Sequence, residues 1–237
     1  MSDLSAPGML AGLSIILPVL EEAQGIRSTL ARLRPWREQG AEIVVVDGGS
    51  EDGTPALAVQ DADRVLTAQC GRGAQMNAGA SAAGGRLLLF LHADTRLPPA
   101  AMPALATMLA EDALLWGRFD IRIEGHHWLL PVVAVLMNLR SALTGIATGD
   151  QALFVSRRLF REAGGFEDIP LMEDIRFSRA LRALAWPRRL RCRATTSGRR
   201  WERHGAMRTI LLMWTLRLLH FLGVEPTRLA RWYQAVR

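Results

Sequence analysis

The stretch that decides the fold reads Glu42-Ile43-Val44-Val45-Val46-Asp47-Gly48-Gly49-Ser50-Glu51-Asp52-Gly53-Thr54. Ile43 to Val46 are four consecutive apolar residues, three of them Val, too few for a helix. They suit a strand buried on both faces, as in a parallel sheet. The strand ends at Asp47, and Gly48-Gly49-Ser50 allows a tight turn closed to bulky residues. Ligands of open α/β sheets bind just outside the carboxyl ends of the strands. Asp47 is therefore a carboxylate at the rim of a crevice, beside backbone bare enough for a ligand to approach. The alternative is an Asp that caps an ordinary β-α turn.

Outward from this stretch the chain alternates. Leu13 to Leu17 reads as a strand, and Pro18 to Glu22 leads into a helical segment that reaches Gln39 and is ended by Gly40. Thr54–Val59 reads as helical, Arg64–Thr67 as extended, and Gln75–Ala83 as helical. Leu87–Leu91 is a second fully buried strand. Pro98 and Pro99 open a helix through Leu109, and Trp116–Ile123 is extended. The order β-α-β-α-β-α-β predicts right-handed crossovers and a mainly parallel sheet. At 237 residues, 49% of them hydrophobic, the chain suits one well-buried α/β domain and is too short for two.

Composition excludes whole chemistries. All 29 cationic residues are Arg, so there is no Walker-A lysine and no Schiff base. The net charge of +6 suits phosphorylated ligands, an anionic membrane or nucleic acid. No nucleic-acid module accompanies the arginines, and no nucleic-acid partner is expected. Cys70 and Cys192 have neither metal-ligand spacing nor the number for a disulfide framework. With no basic segment at the N-terminus, the expectation is a cytoplasmic setting.

The strand ending at Leu91 delivers His92-Ala93-Asp94-Thr95 to the same rim as Asp47. Two carboxylates at neighbouring strand ends suit a hard divalent cation, magnesium or manganese, that bridges to phosphate oxygens. His92 is either a further ligand-facing group or a histidine that shapes the turn. Between the strands, Gly71-Arg72-Gly73-Ala74-Gln75-Met76-Asn77-Ala78-Gly79 leads into a helix with free N–H groups for an anion and Arg72 within reach of a phosphate. It is not a dinucleotide fingerprint, because Met76 stands where the third Gly belongs.

Together these pieces resemble a family-2 glycosyltransferase, the inverting, nucleotide-sugar-dependent group with the GT-A fold. They are Ile16-Leu17-Pro18-Val19-Leu20-Glu21-Glu22, the run from Val46 to Thr54, His92-Ala93-Asp94, Gly149-Asp150-Gln151, Glu173-Asp174 and Arg199-Arg200-Trp201. Gly71 to Gly79 and Leu91 to Thr95 further resemble bacterial radical-SAM/selenodomain-associated transferases. The resemblance implies a single α/β, Rossmann-like GT-A domain with a mainly parallel central sheet and C-terminal helices. Its nucleotide-binding half would cover about 13–110, its acceptor side 111–204 and a helical segment 205–237.

The resemblance also implies roles. Pro18, Glu22, Asp47, Gly48, Arg72, Asn77, His92 and Asp94 fall on the nucleotide-sugar side, with Asp94 at the last carboxylate of the family's Asp-x-Asp metal motif and His92 at its first. Asp174 falls at the general-base position, which would take the proton of an acceptor hydroxyl; as a plain alternative it favours the dipole of the following helix. Gly149, Asp150, Gln151, Glu173, Arg200 and Trp201 fall on the acceptor or sugar side. Ser197 stands where the family's Gln-x-x-Arg-Trp motif has Gln. A nucleotide-sugar-binding protein without turnover is the alternative reading. The apolar segments Trp128–Leu139 and Thr209–Leu222 are interrupted, the first by Asn138 and Arg140 and the second by Arg217 and His220, and neither reaches a membrane span. They are expected to pack in the core or against another subunit, with attachment to the inner face of the membrane as the sharper alternative.

Overall fold

The apolar runs of the first half become adjacent parallel strands. The computed structural model describes residues 8–111, 113–199, 201 and 205–236. Strand β1 (Leu13–Val19) lies between β2 (Glu42–Asp47) and β4 (Leu87–Phe90), and β3 (Arg64–Thr67) flanks β2. All three pairings are parallel, with Val19 opposite Asp47 and Ile16 opposite Phe90. Helices α1 (Ile26–Glu38), α2 (Thr54–Ala58) and α3 (Arg72–Ala82) make the crossovers. Successive side chains point to opposite faces, so each run feeds two layers. Ile15, Leu17, Val45 and Leu89 pack under α1 and α4 (Ala101–Ala110), whereas Ile16, Val44, Val46 and Phe90 pack under α3 and α7 (Glu173–Leu184). Helix α3 sits unusually close: a Cβ on Gly79 would come within 2.5 Å of Ile16 Cγ2.

Beyond β4 the sheet changes character. Strand β7 (Leu153–Ser156) runs antiparallel to β4, and β6 (Trp116–Glu124) antiparallel to β7. Strand β8 (Arg188–Ser197) is parallel to β6, and the two-residue β5 (Thr95–Arg96) closes the edge against it. The order is β3-β2-β1-β4-β7-β6-β8-β5, with four parallel and three antiparallel pairings. The sheet is mostly parallel, as expected, but mixed.

Several boundaries differ from the sequence reading. The first helix starts only at Ile26, because the Leu20–Gly25 segment turns through Glu21 at a left-handed φ of +54°. Helix α3 starts at Arg72 rather than Gln75. Strands β5 and β8 and the short α6 (Arg157–Glu162) had no counterpart in the reading.

The apolar run after Trp128 forms α5 (Leu130–Thr144), and its interruption by Asn138 has a structural cause. The Asn138 side chain accepts the Ile121 N–H and donates to the Ile121 carbonyl, both at 2.9 Å. It thereby clamps α5 across β6. Arg118, buried on the same strand, pairs with Asp120 and donates to the Asn138 carbonyl at 3.2 Å. The second apolar run forms α8 (Ala206–Phe221), followed by α9 (Pro226–Val236). Leu216 and Leu229 pack on Ile146, just after α5, and on Met172 and Ile175 at the start of α7. Among the described residues no helix is long and apolar enough to cross a membrane.

Candidate active site

Strands β1, β2 and β4 release the chain at one edge of the sheet, and the loops there are tied together by short polar side chains. Ser50 Oγ accepts the Glu21 N–H at 2.8 Å, Thr54 Oγ1 accepts the Glu22 N–H at 2.9 Å, and Asp52 accepts the Ala23 N–H at 2.8 Å. This zipper holds Glu22 in place. Burial first, and the neighbouring Asp94 carboxylate second, raise the Glu22 carboxyl above its ordinary value, against the pull of Arg199. Glu22 and Asp94, 72 positions apart in the chain, thus face each other at the rim.

Asp47 is buried directly beneath the next turn. Its oxygens accept the Gly49 N–H at 2.9 Å, the Ser50 N–H at 2.8 Å and the Ser50 hydroxyl. It therefore shapes the Gly48–Ser50 turn from below. Pro18 is buried in β1 opposite Val46. Gln75, which the sequence reading passed over, donates through Nε2 to the Val19 and Val46 carbonyls at 2.8 and 2.9 Å and so joins the ends of β1 and β2. Asn77 uses both ends of its amide on the Phe166 backbone, at 2.8 and 2.9 Å. Arg72 is exposed at the first position of α3.

A second group gathers around the start of α7. Gly149, Asp150 and Gln151 form a 3₁₀ turn, in which Thr148 and the fully buried Gln151 make a capping box. The turn lies flat on the His92 ring: a Cβ on Gly149 would come within 2.2 Å of His92 Cε1. His92 Nδ1 stands 3.7 Å from Asp150 Oδ1. Asp174 Oδ2 accepts the Gly149 N–H at 2.8 Å and its Oδ1 accepts the Ile175 N–H at 2.7 Å. Glu173 is buried beside it; burial, then the Asp174 charge, raise its carboxyl, while Arg72 and His92 pull the other way. His92, Gly149, Glu173 and Asp174 line one small void. Residues near 72, 92, 149 and 173 in sequence thus converge.

A large concavity opens from the rim. A cavity of about 780 Å³ runs between α5 and α8, with Glu22, Asp94 and Asp150 at its acidic end and Ser197, Arg199 and Trp201 along it. Its helical walls carry Leu136, Met137, Ile210, Met213, Arg140 and Arg217. A smaller cleft of about 360 Å³ shares Glu22, Asp94, Ser197 and Arg199 and adds Arg32 and Arg96. Asp47, Gly48, Arg72 and Asn77 line neither space. Arg200 lies outside the described residues. Arg140 and Arg217 had been read only as interruptions of apolar runs.

Among the described residues no group of three or more His, Cys, Asp or Glu side chains could hold a metal ion unaided. The residues present still fit a magnesium or manganese ion. Such ions keep several waters and need only one or two carboxylates when substrate phosphates complete the shell. The mutual repulsion of Glu22 and Asp94 is what a divalent cation would relieve.

With this geometry in view, the similarities to known proteins can be weighed. The family described as glycosyl transferase family 2 matches residues 14–160. An undecaprenyl-phosphate 4-deoxy-4-formamido-L-arabinose transferase of Sodalis glossinidius is 28% identical over 158 residues, which cover 62% of this chain and 48% of that protein. A protein of the same name from Aeromonas hydrophila is 31% identical over 104 residues, 39% of this chain and 32% of its own. The chain thus spans half or less of these relatives' length. Among solved structures, S. aureus TarS 1-349 in complex with UDP-GlcNAc superposes with a TM-score of 0.62 at 16% identity, covering 78% of this chain and 58% of that one. The mannosyltransferase PcManGT from Pyrobaculum calidifontis, in complex with GDP-Man and Mn2+, gives 0.58 at 22% identity, covering 80% and 58%. These likenesses show a shared GT-A fold. The match to the family over more than half of the sequence shows the rest: the chain belongs to glycosyl transferase family 2.

Proposed function

We propose that this chain transfers a glycosyl group from a nucleoside-diphosphate sugar to an acceptor, with inversion at the anomeric carbon. The observation that carries the reading is the meeting of Glu22 and Asp94 at the rim of a cavity that also holds Arg199 and Trp201. Displacing a nucleoside diphosphate builds negative charge on the leaving phosphate. Arg199, beside Glu22, and Arg72, at the start of α3, are the guanidiniums placed to stabilise that charge as it develops. A magnesium or manganese ion held by Asp94, with Glu22 beside it, would supply the same stabilisation more strongly. Neighbours of this fold bound to UDP-GlcNAc, or to GDP-Man with Mn2+, support both the donor class and the metal.

The remaining residues divide by location. The Gly48–Ser50 turn, shaped by Asp47, offers bare backbone to the nucleoside, and His92 and Gly149 form the floor between donor and acceptor. Asp150 and Trp201 face the cavity from the acceptor side. For a hydroxyl acceptor, Asp174 is the carboxylate to take the proton, with the buried Glu173 keeping its neighbourhood acidic. The acceptor in the names of the curated relatives is undecaprenyl phosphate, which supports a position of this chain at a membrane surface.

Calorimetric titration of UDP, GDP and their sugars, with and without manganese, tests the reading. Saturable binding of at least one, strengthened by the metal and weakened about tenfold or more in Asp94→Asn, is expected from loss of a charged ligand. Failure of every nucleotide to bind, with or without metal, would overturn it.

A further inference from the structure

The cavity between α5 and α8, of about 780 Å³, is walled mainly by apolar side chains, and its charges are segregated. Among the described residues, the carboxylates that line it are all at the sheet end: Glu22, Asp94 and Asp150. The segments that form the walls, 129–149 and 205–224, contain no Asp or Glu at all. Their charged lining residues are Arg140 and Arg217, set among Leu136, Met137, Ile210 and Met213. Arg140 is the unusual one. Its Nε and Nη2 are buried and meet no hydrogen-bond partner, whereas Arg118 on the neighbouring strand donates to Asp120 and to the Phe119 and Asn138 carbonyls. A guanidinium with two buried nitrogens unpaired, in the wall of a largely apolar cavity, is suited to an anion.

In and around the cavity both helices expose apolar side chains. Leu139 and Leu143 on α5, and Leu211, Trp214, Leu218 and Phe221 on α8, are each more than half exposed. Such a patch around a cavity mouth is where a soluble surface normally carries charge. A second copy of the chain would cover these faces, but apolar helices of a partner would not satisfy Arg140 inside.

We infer that this cavity is the acceptor site and that it takes a lipid monophosphate: a long hydrocarbon chain between α5 and α8, with its phosphate at Arg140, Arg199 and Arg217. The inference rests on the glycosyl-transfer reading for its chemistry, since the phosphate would face Asp94 at the acidic end. One phosphate oxygen attacks the anomeric carbon, and a new C–O bond forms. The bond to the nucleoside diphosphate breaks, and its electron pair leaves with the diphosphate. The lipid becomes a glycosyl phosphodiester, and no proton changes hands. A phosphate acceptor therefore needs no general base. That agrees with Asp174, whose two oxygens already accept the Gly149 and Ile175 N–H groups.

The test uses the whole chain and three probes below their aggregation concentrations: farnesyl monophosphate, farnesol and inorganic phosphate. Binding is read from tryptophan fluorescence, because Trp201 and Trp214 line the cavity. Farnesyl monophosphate is expected to saturate, with the other two at least about tenfold weaker, since each lacks either the apolar or the charge-assisted contact. Arg140→Met should weaken it about tenfold or more, by loss of a hydrogen bond to a charged group. Leu136→Glu, at a position already exposed, should do the same through the wall with the fold intact. Equal affinity for farnesol would reduce the cavity to an apolar patch, and unchanged affinity in both variants would place the lipid elsewhere. A dimer that Leu218→Glu dissociates, in a protein that never binds farnesyl monophosphate, would assign the faces to a second copy. Each of these overturns the inference. Nucleotide titration of the same samples is independent, so loss of donor binding with lipid binding intact would sink the transfer reading alone.

Discussion

Arg140 carries a cost that the fold would be better without. Burial first, and the Arg217 cation second, lower its guanidinium to about 10, well below its ordinary value, while Asp174 pulls the other way. A folded-state value below the unfolded one means that the charged group opposes folding. The penalty is fully present below about 10 and fades only as pH rises from there toward the ordinary guanidinium value, so at pH 7 all of it applies. At about 1.4 kcal/mol for each pKa unit, the upper bound is roughly 3 kcal/mol. Solvent reaches part of the side chain, and screening brings the figure to about 1–2 kcal/mol. Arg140→Met keeps an unbranched stem of similar reach and removes the charge. It should therefore stabilise the protein by about 1–2 kcal/mol in urea unfolding at pH 7 and raise Tm by about 2–8 °C. The same variant should lose the lipid phosphate. Stability unchanged, or lowered by about 1 kcal/mol or more, would mean that the guanidinium has a partner in solution and would refute the reasoning.

The opposite result is expected at Asp120, which bridges buried Arg118 and half-exposed Arg189. Asp120→Asn strands the Arg118 charge and should cost about 3–5 kcal/mol by denaturant titration. Glu173 titrates in a stated direction: its folded-state value is raised by burial and by Asp174, so its contribution to stability is complete below the ordinary carboxylate value and is lost as pH rises through the raised one. Glu173→Gln should flatten that loss, and a parallel pH dependence in wild type and variant would contradict the assignment. Asp174→Asn separates the two acceptor chemistries. A hydroxyl acceptor should lose about 10² to 10⁴ in kcat, whereas a lipid phosphate should lose little more than the fold stability tied to the Gly149 contact.

The first half of the fold was legible because burial on both faces writes itself as unbroken apolar runs, at Ile43–Val46 and Leu87–Leu91. Strand β8 was missed because arginines fill its outward positions. Its inward ones, Leu190, Cys192 and Ala194, do alternate and carried the signal. Of the rim carboxylates, Asp94 could be placed from its strand end, whereas Glu22 was reached only through the family resemblance. What could not be read was which polar side chains serve the fold: Asp47 under its turn, Asn77 on Phe166 and Gln151 in a capping box are used locally. Asn138 and Arg140 looked alike, as polar breaks in one apolar segment. Only the packing of α5 on β6 separates the satisfied amide from the guanidinium left without a partner.

The central claim is glycosyl transfer at the Glu22–Asp94 rim, and release of nucleoside diphosphate tests it most directly. The whole chain would be incubated with a panel of UDP- and GDP-sugars, manganese and farnesyl monophosphate, and the free diphosphate quantified with time. The account predicts release from at least one donor that depends on the lipid phosphate, yields a glycosylated lipid of inverted configuration, and falls by about 10² or more in Asp94→Asn through loss of leaving-group stabilisation. Release at the same rate in wild type and Asp94→Asn, or none from any donor that binds, would contradict it.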